Sequence, residues 1–270
     1  MSSTSGGGAG DTVRLLWGPH QKPSRGPKPA LSLERIARAG IEIADAEGIG
    51  AVSMQRVAGL LDYTKMSLYR YVPGKAELVA LMVEAAIGEQ APAGPGTAPD
   101  GGTPSPRTGG TAIPRTSGTA EGTPEAAPPA WRTELHAWAR QVAETFGAHP
   151  WLLDATVGPR VPGPRELAWL EQVVACLDGT GLTGPERMDT AVLLAGHVRG
   201  ISEQVRAAGP AGRPESEMLA VLGGLVQEHA ERFPALAVAM TERDGRDQAM
   251  EFGLERILDG LAALIARRSG

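Results

Sequence analysis

The chain is short of cysteine and of long apolar runs, and each shortage excludes a class of protein. Its single cysteine, Cys176, rules out an internal disulfide and a cysteine-based metal cluster. Its apolar setting, VVACL, predicts a buried, unreactive thiol. No apolar run approaches the ~20 residues that span a bilayer. The first residues, MSSTSGGGAG, lack the charged and apolar regions of a signal peptide. We therefore expect a cytoplasmic protein without a membrane partner.

Lysine is also scarce, and charge is unevenly placed along the chain. Residues 12–75 carry ten Lys or Arg against five Asp or Glu, whereas residues 131–270 carry fourteen against nineteen. All four lysines of the chain lie in the basic segment: Lys22, Lys28, Lys65 and Lys75. A basic N-terminal segment followed by an acidic C-terminal part predicts a polyanionic partner that binds the N-terminal segment alone.

Composition divides the chain into four parts. Residues 1–29 are rich in Gly, Ser and Pro and end in a basic run, which predicts a flexible basic arm. Residues 30–90 have helical periodicity. In residues 91–130, 24 of 40 positions are Pro, Gly or Thr, which predicts a disordered linker. Residues 131–270 lack strand alternation and predict an all-α domain with helices near 131–147, 164–178, 185–208, 215–232 and 246–267.

The helices expected in residues 31–88 have an order typical of DNA-binding proteins. Ser32 begins a long helix, Ser53 and Thr64 begin two very short ones, and Lys75 begins a fourth. Two short helices around a tight turn, in a small basic bundle, predict a helix-turn-helix motif.

All three tyrosines of the chain lie in the stretch YTKMSLYRYVPGK, residues 63–75. Tyr63 is expected to pack inward with Leu68 and Val72. The other side chains of the second short helix are expected to face DNA: Lys65, Met66, Ser67, Tyr69, Arg70 and Tyr71. Lys75 would add its charge to backbone amides that favour a phosphate. In the arm, Arg25 and Lys28 are further candidates for contact with a groove or with phosphates.

The stretch LSLERIARAGIEIADAEGIGAVSMQRVAGLLDYTKMSLYRYVPGKAELVALM resembles the DNA-binding domain of the tetracycline-repressor (TetR) family of bacterial regulators, and SLYRYVPGK is its most specific part. HPWL, LAWLEQVVACLDGTGL and EFGLERILDGLAALI resemble the C-terminal domain of the tetracycline-repressor-like branch. The resemblance implies a homodimer, an all-α ligand-binding core, and release from a palindromic DNA operator when a small molecule binds.

The resemblance also assigns roles to residues of the helix-turn-helix. The motif would begin at Ser53 and span residues 53–72. Thr64, Lys65, Met66 and Ser67 fall at the family's base-reading positions, and Tyr69, Tyr71 and Lys75 at its phosphate-contacting ones. Two positions depart from the pattern. Asp62 replaces the usual glycine of the turn and is expected to adopt the left-handed conformation, and the bulky Tyr63 replaces a small residue.

The second domain offers a larger set of candidate effector contacts. Ligand pockets are mostly apolar with a few polar groups. The candidates are His136, Trp138, His149, Trp151, Trp169, His197 and Arg199. His197 and Arg199 interrupt the apolar helix AVLLAGHVRG and are the preferred polar anchors. The family's tetracycline–metal ligands do not map onto this chain, so no metal or cofactor is expected.

The dimer is expected to use the helices near 185–208 and 246–267. The first carries Val192 and Leu193, and the second carries Ile257, Leu261, Leu264 and Ile265. No HExxH, GxSxG, CxxC, Walker or dinucleotide motif occurs, so no enzyme and no catalytic residue is expected. The alternative to a ligand-released repressor is a DNA-binding regulator without a ligand, which would have a fully packed second domain.

The linker generates the first testable prediction. A flexible tether of ~40 residues has an r.m.s. span of roughly 35 Å and cannot push or pull, so the ligand signal must cross by packing of the helix at 75–88 on the second domain. The residues expected to carry that packing are Val79, Met82, Val83 and Ala86. Replacing residues 91–129 by a short, unstrained Gly-Ser bridge should leave operator affinity within about tenfold and preserve ligand release. Operator binding with and without ligand measures both. A folded dimer that loses either would give the linker a role of its own.

Overall fold

Helices are the regular elements throughout the residues that the computed structural model describes, which are 7–18, 31–90, 128–208, 213–241 and 249–269. The all-α prediction is therefore confirmed. None of the helices in these ranges is long and apolar enough to cross a membrane. The helices are α1 (Gly7–Trp17), α2 (Leu33–Glu47), α3 (Met54–Leu60), α4 (Lys65–Tyr69), α5 (Lys75–Gln90), α6 (Ala130–Ala148), α7 (Leu152–Ala155), α8 (Pro164–Cys176), α9 (Gly184–Ala208), α10 (Arg213–Glu228), α11 (Pro234–Ala239) and α12 (Ala249–Ser269), with a 3-10 turn at Ile49–Ala51.

The three N-caps expected from the sequence are formed. Ser32 Oγ accepts a hydrogen bond from the backbone N–H of Arg35 at 3.2 Å, and Ser53 Oγ accepts one from that of Arg56 at 3.2 Å. Thr64 Oγ1 accepts one from Ser67 N–H at 3.3 Å. Each cap satisfies a first-turn donor that has no partner inside its own helix, which fixes where α2, α3 and α4 begin.

Two apolar cores meet at aromatic side chains. The first core is built by α2 to α5 and also holds Trp151 and Leu152 from the second part of the chain. The second core is built by α6, α8, α9 and α12. Phe146 and Trp169 pack against both cores, so the first four-helix unit and the second domain are joined by packed side chains.

The prediction of a flexible arm over residues 1–29 is wrong for residues 7–17. These residues form α1, which packs against α5. The physical reason is the spacing of Thr12 and Leu16, which are both buried and lie four positions apart on one face of the helix. The Gly-Ser composition of the first ten residues concealed this short pattern. The predicted contacts Arg25 and Lys28, and residues 91–127 of the predicted linker, lie outside the described residues.

Cys176 is less buried than the sequence predicted, but its thiol is unreactive as expected. Its side chain is half-buried on α8, and burial raises the pKa of its thiol to about 11. At neutral pH the thiol is therefore protonated and a poor nucleophile.

Met82 does not lie where the sequence predicted. It is fully buried in the first core, and a Cβ atom added at Gly40 of α2 would lie 2.6 Å from its sulfur. Met82 therefore packs on α2, inside the first four-helix unit. The side of α5 that meets the second domain carries Glu84 and Gly88 instead, because both lie against Arg165 of α8.

This placement changes what a substitution at Met82 should do. Met82→Asp places a charge in a closed apolar core and should lower the free energy of unfolding of the first unit by about 3 kcal/mol or more. Leu60→Asp, at an exposed apolar position of α3, is the matched control and should lower the free energy of unfolding far less. Urea unfolding followed by circular dichroism measures both. A stable Met82→Asp protein that binds operator but ignores its ligand would instead return Met82 to the signal path.

Candidate nucleic-acid interface and effector site

The turn between α3 and α4 has the left-handed residue that the sequence predicted. Asp62 has a φ of 62°, and it is the one non-glycine residue with positive φ in the described part of the chain. After it, the backbone N–H of Tyr63 donates to Ala58 O at 2.9 Å and closes the turn. The Tyr63 side chain packs against the first core. Asp62 thus replaces the usual glycine without loss of the turn.

Helix α4 is anchored by one face and exposed on the other. Leu68 and the following Val72 are fully buried in the first core. On the opposite side, Met66 is 72% exposed, and Tyr69 and Tyr71 are exposed as well. An apolar side chain this exposed on a five-residue helix has no structural role in the monomer and is free to meet a base edge.

The charged and hydroxyl groups of α4 are pre-positioned by their neighbours. Lys65 Nζ lies 5.5 Å from the centroid of the Tyr69 ring, a cation–π contact across one helical turn. Thr64 Oγ1 and Ser67 Oγ lie 2.9 Å apart. Arg70, which follows α4, is exposed. These side chains form one continuous surface with Met66 and the two exposed tyrosines.

Two further predicted DNA contacts lie at the starts of other helices. Lys75 is exposed at the first residue of α5, and the start of a helix favours an anion. Ser53 is half-buried and caps α3, and its hydroxyl keeps one O–H that can donate to a phosphate.

The predicted effector residues do not form one group. His149 Nδ1 lies 2.9 Å from Asp45 Oδ1, and Trp151 Nε1 donates to the same oxygen at 2.7 Å. Asp45 belongs to α2, so His149 and Trp151 connect the DNA-binding unit to the second domain. The sequence had placed them in a pocket inside the second domain, because it showed no sign of the Asp45 partner.

Of the other candidates, Trp138 lies in the second core, Trp169 packs against it, His197 contacts α12, and Arg199 contacts α7 and the residue that follows it. Trp138 Nε1 donates to the backbone oxygen of Trp169 at 3.0 Å, and Trp169 Nε1 is buried without a hydrogen-bond partner. His197 Nε2 lies 2.9 Å from Met250 O, and a side chain at Gly253 would overlap the His197 ring. Arg199 Nη1 donates to Thr156 Oγ1 at 2.9 Å, and its guanidinium also bonds Leu153 O.

His136 is the seventh candidate and lies in a separate concave region of about 480 Å³ between α6 and α12. His136 Nε2 lies 2.8 Å from Glu255 Oε1 and 3.4 Å from Glu251 Oε1. The three groups are close enough to hold a metal ion, which the sequence did not predict. However, Arg132 pairs with Glu255, and Arg140 pairs with Glu251 at 2.8 Å. Arg132 and then His136 lower the pKa of Glu255, and each of the two carboxylates is already paired with an arginine.

Apolar side chains are exposed on the helices expected to form a dimer. Val192 and Leu193 project from α9, as predicted, and Phe252 projects from α12. Leu261, predicted for the interface, is instead buried in the second core of its own chain. The sequence could not separate these cases because α12 is apolar on more than one face. A second set of exposed apolar residues lies on α10 and α11: Val221, Leu222, Leu225, Leu236 and Val238.

Comparisons with known proteins agree with this geometry. A model of the tetracyclin repressor-like C-terminal domain matches residues 123–265. The HTH-type transcriptional repressor DrrR1 of Streptomyces coeruleorubidus is 34% identical over 99% of this chain and 92% of its own. Apo ActR from Streptomyces coelicolor is 25% identical, with a TM-score of 0.63 over 89% of this chain and 99% of its own. The TetR family protein ActR has also been solved with (S)-DNPA (25% identity, TM-score 0.61, 86% of this chain and 98% of its own) and with actinorhodin (24%, 0.62, 88% and 97%).

Proposed function

Because the chain belongs to the tetracycline repressor-like family of transcriptional regulators, we propose that it is a homodimeric repressor which a small molecule releases from a palindromic DNA operator. The observation that carries the DNA-binding role is the exposed surface of α4, set by Leu68 and Val72 on its buried side. The protein acts on chromosomal DNA and therefore in the cytoplasm. Its role is regulatory, and no residue is assigned to catalysis.

The position of each residue along the recognition helix determines whether it contacts bases or phosphates. The first residues of a recognition helix reach base edges in the major groove, so Thr64, Lys65, Met66 and Ser67 read sequence. Tyr69, Arg70, Tyr71 and Lys75 lie further along the chain and contact phosphates, joined by Ser53 at the start of α3. A two-fold dimer presents two such surfaces, which makes the operator a palindrome.

The effector site lies in the second domain, among Trp138, Trp169, His197 and Arg199. The supporting observation is Trp169 Nε1, a buried donor without a partner. A buried N–H left unpaired costs free energy that an acceptor on a ligand would recover. The ligands in the two ActR complexes are organic small molecules, and we take them as probes for this chain.

A regulator that needs no ligand is the second candidate. It is favoured by the packing of the second core, where Trp138, Val173, Leu194 and Leu258 are all buried. Such a core leaves little interior volume unless side chains move on binding.

The DNA-binding role is tested by two lysine variants and DNA selected with the wild-type protein. If Lys65 meets a guanine, Lys65→Ala should relax base preference at one position of each half-site. The discrimination between bases at that position should fall by about 1–3 kcal/mol. Lys75→Ala should weaken binding to all DNA sequences alike. It should also reduce by about one the slope of the logarithm of the binding constant against the logarithm of the salt concentration. Binding to mismatch series at several salt concentrations measures both effects. Equal selectivity profiles for the two variants would contradict the assignment.

The effector role is tested by titration with actinorhodin and with (S)-DNPA. Binding should change the fluorescence of the second-domain tryptophans and weaken operator binding, since each ligand acts through its different affinity for two states. Trp169→Phe removes the unpartnered donor and should lower the affinity for the effector about fivefold to tenfold. Trp131→Phe, another tryptophan of the second core, is the matched control. If a broad ligand screen finds no binder while operator binding is intact, the second candidate replaces the first.

A further inference from the structure

We propose that Glu84 and Trp17 are positioning residues for DNA recognition, which fix the segment 162–166 of the second domain against α5 and thereby set the spacing of the two α4 helices. The inference rests on the proposed binding of a two-fold dimer to DNA. It concerns side chains outside the DNA-contacting surface and outside the effector candidates.

Glu84 of α5 acts as the cap of a helix in the other domain. Its Oε2 accepts from the backbone N–H of Arg165 at 3.0 Å, and its Oε1 accepts from the N–H groups of Arg165 and Glu166 at 3.2 and 3.3 Å. The first helical residue of α8 is Pro164, which has no N–H, and the N-cap residue is Gly163, which has no side-chain oxygen. The first-turn donors of α8 are therefore satisfied from α5, and a carboxylate is the favoured group at that end of a helix.

The contact is reciprocal and buried. Arg165 Nη1 donates to the backbone oxygen of Glu84 at 2.9 Å, so α5 and α8 exchange bonds in both directions. Glu84 is 8% exposed. Burial raises the pKa of Glu84, and the N–H groups of Arg165 and Glu166 oppose that effect. A charged group that is largely removed from water is held in a defined position by the bonds that compensate it.

Two glycines make the close approach possible. A Cβ atom at Gly163 would overlap the Glu84 carboxylate, and one at Gly88 would overlap the Arg165 guanidinium. Gly163 has a φ of −89° and a ψ of 174°, which any residue can adopt. Its lack of a side chain therefore serves the contact with Glu84 and not the backbone conformation.

Helix α1 holds the same segment from a second direction. Trp17 Nε1 donates to the backbone oxygen of Pro162 at 3.1 Å. The preceding Leu16 is 4% exposed, and α1 packs on α5. Residue 162 is thus tied to α1 and residues 165 and 166 to α5. Both sets of hydrogen bonds therefore connect this segment to the helices that pack with α4.

The consequence for DNA recognition is geometric. Leu68 of the recognition helix and Leu78 of α5 lie in the same core, so α4 moves with α5. In a two-fold dimer the separation of the two α4 helices is set by how each α5 sits on its second domain. DNA half-sites lie about 34 Å apart per helical turn, and a protein that holds this separation rigidly rejects operators of altered spacing.

The test compares two Gly→Ala variants. Gly163→Ala forces the Glu84 carboxylate away from α8, whereas Gly147→Ala, on α6, adds a Cβ where no atom lies within 4 Å. Each is measured on the selected operator and on versions with one base pair added or removed between the half-sites. Gly163→Ala should reduce discrimination between spacings about tenfold, the size expected from loss of charge-assisted hydrogen bonds. Gly147→Ala should match the wild type.

Two further readouts separate positioning from damage to the reading surface. The cost of a mismatch within one half-site should stay unchanged in Gly163→Ala, because α4 is intact. Amide hydrogen exchange at residues 165 and 166 should accelerate, because both N–H groups lose their acceptor. Glu84→Ala, which removes both acceptor oxygens, should reproduce both results, and Trp17→Phe, which removes one N–H, should give a smaller loss of spacing discrimination.

The outcomes are distinct. A folded Gly163→Ala protein with the wild-type spacing profile overturns the inference, as does a changed mismatch cost without a changed spacing profile. Should Gly163→Ala fail to fold, Glu84→Ala and Trp17→Phe decide in its place, and wild-type profiles in both overturn the inference. A wild-type protein with no preference for paired half-sites overturns the proposed function, and this inference with it.

Discussion

Helix α5 has to satisfy two partners at once, and the rest of the molecule depends on how it does so. One face lies in the first core, where Leu78 and Met82 are fully buried. Another side reaches the second domain through the carboxylate of Glu84 and the bare backbone at Gly88. Because the side chains of α4 and α5 are closely packed in one core, α5 and the recognition helix behave as one rigid body. The polar contact with α8 fixes how that body sits on the second domain.

Asp45 provides a second polar connection between the same two bodies. One of its oxygens accepts from both His149 and Trp151, and the Trp151 ring is buried in the first core. The Asp45 and Glu84 contacts have the same arrangement, in which a carboxylate of the DNA-binding unit accepts from N–H donors of the second domain. Both contacts are specific in direction. The Glu84 contact is also sensitive to displacement, because a buried carboxylate left without donors is costly, whereas Asp45 is exposed. The two contacts suit an interface that has to respond to a ligand.

The DNA-binding surface and the effector region differ in how far each depends on the rest of the fold. The surface of α4 is local, because Thr64, Asp62 and Leu68 fix its start, its turn and its buried side within a few residues. The proposed effector region draws on α6, α8 and α9, and its unpartnered donor, Trp169 Nε1, lies where the two cores meet. A ligand bound at the proposed site would be adjacent to α8, the helix that Glu84 caps, which would give a short physical route from effector to DNA.

The sequence by itself determined those features that nearest neighbours decide. The caps at Ser32, Ser53 and Thr64 and the inward Tyr63 follow from local backbone chemistry and helical periodicity, so they could be predicted. The left-handed Asp62 was expected from the family resemblance, which places it at the usual turn glycine. Tertiary structure alone decided which buried side chain faces which partner. Met82 meets Gly40, Trp151 meets Asp45 and Leu261 lies in its own core, and an apolar or aromatic residue carries no sign of its partner. Helix α1 and the glycines at 88 and 163 were hidden for a related reason, since glycine signals a loop unless the approaching side chain is known.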